Sequence, residues 1–195
     1  MRTEALAVDN PFLISRARKG DLEALEALYR AYEAPVYRLA RRLCRRPEDA
    51  EEVVQETFLE VIRSVGTYRG DCPMLNWIRK IAANKAISRL RGLSLRKEEA
   101  LSDDAWPGDL VGEGTGAFLA GPGAVVHQVD VETALSRLSD TSRAVVWLHD
   151  VEGYTHEEIA EMMGKTPSFS KSQLARAHER LRAHLSGAGE AQPCT

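Results

Sequence analysis

The side chains in this sequence that are best arranged to do chemistry are hydrogen-bonding and charged groups on helices, and the chemistry they suit is recognition of nucleic acid. In the stretch YTHEEIAEMMGKTPSFSKSQLARAHERLR, residues 154–182, Thr155 precedes Glu158 by three positions, the spacing of a capping box. Ile159, Ala160 and Met163 then form the apolar side of a short helix that Gly164 ends. A turn through Lys165, Thr166 and Pro167 leads to a second helix, for which Ser168 is the expected cap. At about 100° per residue, Leu174, Ala177, Leu181 and Leu185 share one face of it, and Phe169, Ser172, Gln173, Arg176 and Arg180 project from the other. Lys165, Lys171, Arg176, Arg180 and Arg182 stand against the single acid Glu179 over residues 165–186. Two short helices about a tight turn, the second polar and basic at its start, have the layout of a helix-turn-helix. Such a helix offers Arg to guanine and Gln to adenine in the major groove. Solvated helical hairpins also carry capping boxes and basic faces, so the motif needs its context.

Reaction chemistry finds no comparable pattern. The sequence has no P-loop, no Rossmann glycine pattern, no HExxH and no nucleophile elbow. Cys44, Cys72 and Cys194 are odd in number, far apart and not paired as CxxC. His127, His149, His156, His178 and His184 add no ligand spacing to them. No catalytic residue, metal or cofactor is therefore expected.

The elements that must position the charged faces are helical throughout, with no alternating strand pattern and no repeat. From Asp21, a cap residue, the apolar positions Leu25, Leu28, Tyr29, Tyr32, Val36, Leu39, Ala40 and Leu43 recur at three- and four-residue steps, with Pro35 a place for a kink. Pro47 suits a first helical turn, and Glu48, Asp49, Glu51 and Glu52 favour the positive end of that helix, which should run to about Val65. Residues 66–73 form a loop. A further helix should extend from about Met74 to Arg91 with Leu75, Ile78, Ala82, Ala86 and Leu90 inward. Residues 92–127 turn rich in glycine, proline and acids, the composition of a linker. Beyond it, Val131, Leu135 and Leu138 share a face, and Ala144, Val145 and Leu148 belong to the next helix. The expectation is an all-α protein of two small domains, residues 10–95 and 128–186, joined by an acidic linker at 96–127.

Charge follows that division. The whole chain of 195 residues sums to −3, yet residues 10–95 hold 16 Lys/Arg against 11 Asp/Glu, residues 96–127 hold 2 against 6, and residues 128–186 hold 7 against 9. Positive charge concentrated on particular helices is the form a phosphate-binding footprint takes. No stretch approaches the roughly 20 apolar residues of a membrane span, and the N-terminus lacks an apolar signal core, so a cytoplasmic protein is expected.

The segments PEDAEEVVQETFLEVIRSV and TYRGDCPMLNWIRKIAANKAISRLR resemble regions 2.2 and 2.3–2.4 of extracytoplasmic-function sigma factors, and ALSRLSDTSRAVVWLHDVEGYTHEEIAEMMG with the helix after it resembles region 4. The likeness covers about residues 10–95 and 130–186. It implies a subunit that directs bacterial RNA polymerase core to promoters, through the β′ clamp helices and β flap. It further implies binding of promoter DNA, control by an anti-sigma factor, and no insertion of this chain into a membrane. Carried over by position, Glu52, Gln55, Glu56 and Leu59 would face the β′ clamp. Tyr68, Arg69, Asp71, Asn76, Trp77, Arg79, Lys80, Asn84, Lys85 and Arg91 would read the −10 element, although a tryptophan on a small domain's helix, such as Trp77, is more often a core residue. Phe169, Lys171, Ser172, Gln173, Arg176 and Arg180 would read the −35 element. The acidic linker would correspond to the segment that threads toward the active-site channel, though its composition equally suits a plain tether. The sequence departs from the family where GTVKSRL is common: Ser170 occupies an apolar core position and Gln173 replaces an arginine. Ser88 likewise stands where Asp is frequent. A conventional transcription factor with an N-terminal sensor would need a βα alternation that the sequence lacks, and an enzyme would need a reaction centre that it also lacks.

Overall fold

A computed structural model describes residues 10–98 and 133–187, and all its regular structure is helical. The chain divides into two units after Arg89. In the first unit, α1 spans Pro11–Arg18, α2 Leu22–Leu43 and α3 Pro47–Ser64, with a 3₁₀ turn at Val65–Thr67; α4 spans Met74–Glu98 and crosses the division. In the second unit, residues 133–136 form one helical turn; α5 follows at Asp140–Val146 and widens into a π-type turn at Trp147–Val151. Helices α6, His156–Met163, and α7, Pro167–Gly187, complete it.

Local chemistry sets most of the helix starts. The Asp21 carboxylate accepts from the backbone N–H groups of Glu23 and Ala24 and opens α2. The Arg16 guanidinium, 2.6 Å away, is the main cause holding that carboxyl below its usual range, with the Ala24 hydrogen bond adding to it. Pro47 occupies the first turn of α3, where its missing N–H costs nothing. Pro35 lies within α2 without ending it. The helix α1, which the periodicity did not single out, begins at an Asn10 cap followed by Pro11. With only eight residues it shows too little repeat to stand out from its surroundings.

The first core is made where α2 and α3 pack and α4 closes over them. Leu28, Val36, Leu39 and Leu43 of α2 are buried with Val53, Val54, Thr57 and Val61 of α3. The inward side of α4 differs in part from the expected set. Ile78, Ala82 and Ala86 are buried, but Met74, Ala83 and Ile87 join them, and Leu75 and Leu90 are only half-buried. Met74, Ala83 and Ile87 sit beside the expected positions, so the buried arc is wider than a single stripe.

Helix α4 also continues past Arg91 to Glu98. A lone helical glycine costs about 1 kcal/mol, and Leu93, Leu95, Arg96, Lys97 and Glu98 are strong helix formers, so Gly92 does not stop it. The glycine- and proline-rich remainder, residues 99–127, lies outside the described residues.

One polar cluster is built into this core. Asp49 is 5% exposed, and Arg89 of α4 meets it with Nη2 at 2.8 Å and Nε at 2.9 Å. Arg89 Nη2 also lies 2.5 Å from Glu52, one turn along α3. The two carboxylates, Glu52 foremost, hold the guanidinium still more firmly charged than usual. Arg46 approaches Asp49 at 3.5 Å from the more exposed side.

Replacing Arg89 by Met should lower the unfolding free energy by roughly 1–3 kcal/mol, because a buried carboxylate loses its closest partner. Combining it with Asp49→Leu should return much of that loss, since an apolar pair leaves no stranded charge. Urea denaturation of both variants checks this; a double mutant no more stable than Arg89→Met contradicts it.

Candidate nucleic-acid interface

Helices α6 and α7 make the expected helix-turn-helix. Thr155 Oγ1 accepts from the Glu158 N–H at 3.2 Å while Glu158 Oε2 accepts from the Thr155 N–H at 3.0 Å, a closed capping box. Gly164 ends α6 at φ +63°, a left-handed conformation that glycine adopts without strain. The cap of α7 is two residues earlier than expected: Thr166 Oγ1 accepts from the Phe169 N–H at 3.3 Å, and Pro167 is already helical. Proline's fixed φ suits a first helical position, which makes Thr166 rather than Ser168 the residue at the boundary.

The inward face of α7 holds Leu174 and Ala177, with Leu181 half-buried. Ser170 is also fully buried, and its hydroxyl meets His156 Nδ1 at 3.0 Å. That hydrogen bond explains how a serine is tolerated at an apolar core position.

On the outward face Lys171, Ser172, Arg176 and Arg180 are exposed and Phe169 is half-buried beneath Lys165, whose Nζ lies 5.9 Å from the ring centroid. Gln173 does not project as freely as its position suggests. It is half-buried, and its Oε1 accepts from Ser142 Oγ at 3.1 Å.

A histidine cluster that the sequence did not disclose lies behind this helix. Asp150 Oδ2 is 2.6 Å from His178 Nε2 of α7, and Oδ1 is 2.9 Å from His149 Nδ1. The His149 ring stacks on His156 with centroids 4.5 Å apart. Burial alone would push the Asp150 carboxyl up, but the bonds to the two histidines outweigh it and hold the group below its ordinary range. His156 is pushed down, first by burial and then by His149 and Lys171. No local signal announces such a cluster, because His178 is far along the chain from Asp150.

Helix α4 exposes Asn76, Lys80, Asn84 and Ser88 in the first unit and Arg91 beyond the division, following one another at three- and four-residue steps. Arg69 and Asp71, in the segment before it, are exposed as well, around Gly70 at φ +85°. Four residues of the expected −10 group are engaged inside the unit instead. Tyr68 is 7% exposed, donates its hydroxyl to the Cys72 carbonyl at 2.6 Å, and packs its ring 5.5 Å from that of the half-buried Trp77. Lys85 turns toward Glu60 of α3 at 3.5 Å, and Arg79 is half-buried. Tyr68 and Trp77 thus brace the segment 68–73 against α4.

The outer face of α3 presents Glu52, Gln55 and Leu59 with Glu56 half-buried beside them. Leu59 is 53% exposed, and so is Ile62, one turn further on, which the sequence reading passed over. Two neighbouring apolar side chains left half in water are an anchor that burial against a partner would stabilise by about 1 kcal/mol each, since roughly half of each is already covered. Among the described residues, no group of His, Cys, Asp or Glu could hold a metal, and no helix is long and apolar enough to cross a membrane.

Residues 28–96 match Sigma-70 region 2, and residues 128–181 match Sigma-70, region 4. The chain is 31% identical over 172 residues to the ECF RNA polymerase sigma factor SigM of Mycobacterium tuberculosis, which covers 88% of this chain and 82% of that one. It is 32% identical over 178 residues to the RNA polymerase sigma factor CarQ of Myxococcus xanthus, covering 88% and 95%. Among solved structures it resembles the sigma factor RpoE in complex with the anti-sigma factor NepR from Bartonella quintana, with a TM-score of 0.56, 20% identity, and coverage of 85% and 98%. It also resembles CnrH in complex with the cytosolic domain of CnrY, at a TM-score of 0.50 and 21% identity, covering 92% and 98%. At those identities the structural likeness speaks for the fold alone.

His156 gives this region a pH dependence whose sign can be stated. Its folded-state pKa lies below the unfolded value of 6.5, so the unfolded chain binds more protons between the two. The stability it contributes is complete above the unfolded value and is lost as pH falls through the folded one. The melting temperature should therefore drop as pH falls below about 6.5, and His156→Gln should flatten that dependence. Parallel slopes for the two proteins in thermal melts would remove this role.

Proposed function

The chain belongs to the extracytoplasmic-function sigma factors of the RNA polymerase sigma-70 family, and from that premise we propose how its surfaces divide the work of transcription initiation. The protein directs bacterial RNA polymerase core to promoters. The observation that carries this is the presence, in order along one chain, of both sigma regions together with relatives above 30% identity over most of their length.

In this reading residues 10–95 bind polymerase and the −10 element, residues 128–186 bind the −35 element, and the acidic segment 96–127 connects them. The outer face of α3, with Glu52, Gln55, Glu56, Leu59 and Ile62, meets the β′ clamp. An apolar anchor beside acids and an amide is the composition of a protein interface centre with its polar rim. Asn76, Lys80, Asn84 and Arg91, with Arg69 and Asp71, hold the unpaired non-template strand of the −10 element. Tyr68 and Trp77 position that segment. Opening a duplex without ATP requires binding the single strand better than the double strand, and amides and cations aligned along one helix, beside a segment able to take a flipped base, supply that difference.

The second unit applies Phe169, Lys171, Ser172, Arg176 and Arg180 to duplex DNA at the −35 element and docks on the β flap. The protein itself carries no catalytic centre; it works in the cytoplasm on the polymerase's chemistry. An anti-sigma factor that covers α3 and the second unit would hold it inactive. That expectation accords with its structural neighbours: RpoE is in complex with the anti-sigma factor NepR, and CnrH is in complex with the cytosolic domain of CnrY.

Run-off transcription by core polymerase, with and without the purified chain, tests the reading; stimulation that requires a different sigma factor would favour a conventional regulator instead. Gln55→Ala combined with Glu56→Ala should weaken retention on core polymerase, and Leu59→Glu should weaken it by about 10-fold or more with little change in melting temperature. Unaltered retention of both would displace the interface from α3. Arg176→Ala should reduce affinity for promoter duplex bearing the −35 element by roughly 5- to 100-fold while core affinity stays the same. Equal promoter affinity for mutant and wild type counts against the assignment of α7.

A further inference from the structure

Gln173 is the place where the second unit reaches out to shape what α7 can read. Ser139 caps α5, its Oγ accepting from the Ser142 N–H at 3.2 Å. The Ser139 hydroxyl then donates to Ser142 Oγ at 2.9 Å, and the Ser142 hydroxyl donates to Gln173 Oε1 at 3.1 Å. Both serines are buried, 5% and 2% exposed, so water does not compete for these hydrogens. Each hydroxyl proton in the relay is directed toward the next oxygen, and the last oxygen is the glutamine carbonyl. Gln173 itself is half-buried, and its Nε2 is not sealed in the interior.

A glutamine reads adenine by using both ends of its carboxamide, accepting from N6 and donating to N7. Here the accepting end is turned into the domain and held there. Only the two N–H donors remain for a base, and they match an edge made of acceptors. Resting on the assignment of α7 to the −35 element, we propose that Ser142 fixes Gln173 as a donor-only reader, so that the base it faces is selected as guanine, through N7 and O6, rather than adenine. Ser142 acts as a positioning residue. Adenine at that step could still accept at N7, but its N6 donor would meet the Gln173 donor and go without an acceptor, whereas guanine accepts at both N7 and O6.

The test uses holoenzyme reconstituted from core polymerase and the full chain, on a promoter library randomised through the −35 element, with transcripts counted by sequencing. Wild type should favour guanine over adenine at one position by about 10-fold, within the range of a good base contact. Gln173→Glu, which keeps an acceptor and loses the donors, should abolish that guanine preference and favour cytosine, whose N4 donates. Ser142→Ala, which frees Oε1, should bring adenine to within about 3-fold of guanine at the same position and leave other positions unchanged. A loss of folding in Ser142→Ala would lower all promoters together and could not move one base preference; Gln173→Glu, at the half-buried reader itself, then carries the test alone. Identical base preferences in wild type and Gln173→Glu, or a wild-type adenine preference at the position Gln173→Glu alters, would overturn the proposal. Absence of transcription from every promoter would instead bring down the sigma-factor reading and this inference with it.

Discussion

Arg89 ties the two working faces of the first unit to each other. Its guanidinium reaches from α4 to Asp49 and Glu52 on α3, so the helix whose outer side is proposed for DNA is anchored to the helix whose outer side is proposed for polymerase. A small helical domain has little apolar area to spare, and a buried charge is tolerated only when its partner is held in place. The pair thereby fixes the rotation of α4 about its own axis. With that rotation set, Asn76, Lys80, Asn84, Ser88 and Arg91 fall on the exposed side, and the apolar residues close over α2 and α3.

The second unit solves a related problem with neutral groups. Among its described residues, short helical pieces, including the turn at residues 133–136 and the π-type turn, and the longer α7 surround a core of modest side chains. Hydrogen bonds between side chains add registration that packing alone would not provide. Ser170 bonds to His156, His178 to Asp150, Gln173 to Ser142 and His184 to Arg137, so α7 is tied at several points along its length to different places in the preceding chain. A recognition helix must present its side chains to base edges with little freedom, and such tethers restrict it where a wholly apolar seat would let it slide.

Much of this was legible in the sequence. Caps, prolines at first helical turns and three-to-four apolar spacing located α2, α3, α6 and the body of α7, and the capping box at Thr155 and Glu158 is made as read. Where the reading slipped, a local preference had two outcomes. Ser168 and Thr166 can both cap a helix, and Pro167 decided between them. Gly92 can stop a helix or be carried through it, and the formers beyond it carried it through.

The sequence by itself determined an all-α chain with two charged, separately patterned modules and the family to which they belong, because helix periodicity, capping and motif order are properties of residues close together along the chain. Only the tertiary structure decided which polar groups remain available for a partner. Asp49 and Arg89 pair across 40 positions, Lys85 bends to Glu60, Tyr68 donates to the backbone beneath it, and Gln173 surrenders its carbonyl to Ser142. Each choice depends on which face of one helix meets which face of another. Helical spacing names the face a residue lies on, but the hydrogen-bond partner waiting there is set by packing between segments that the local pattern does not connect.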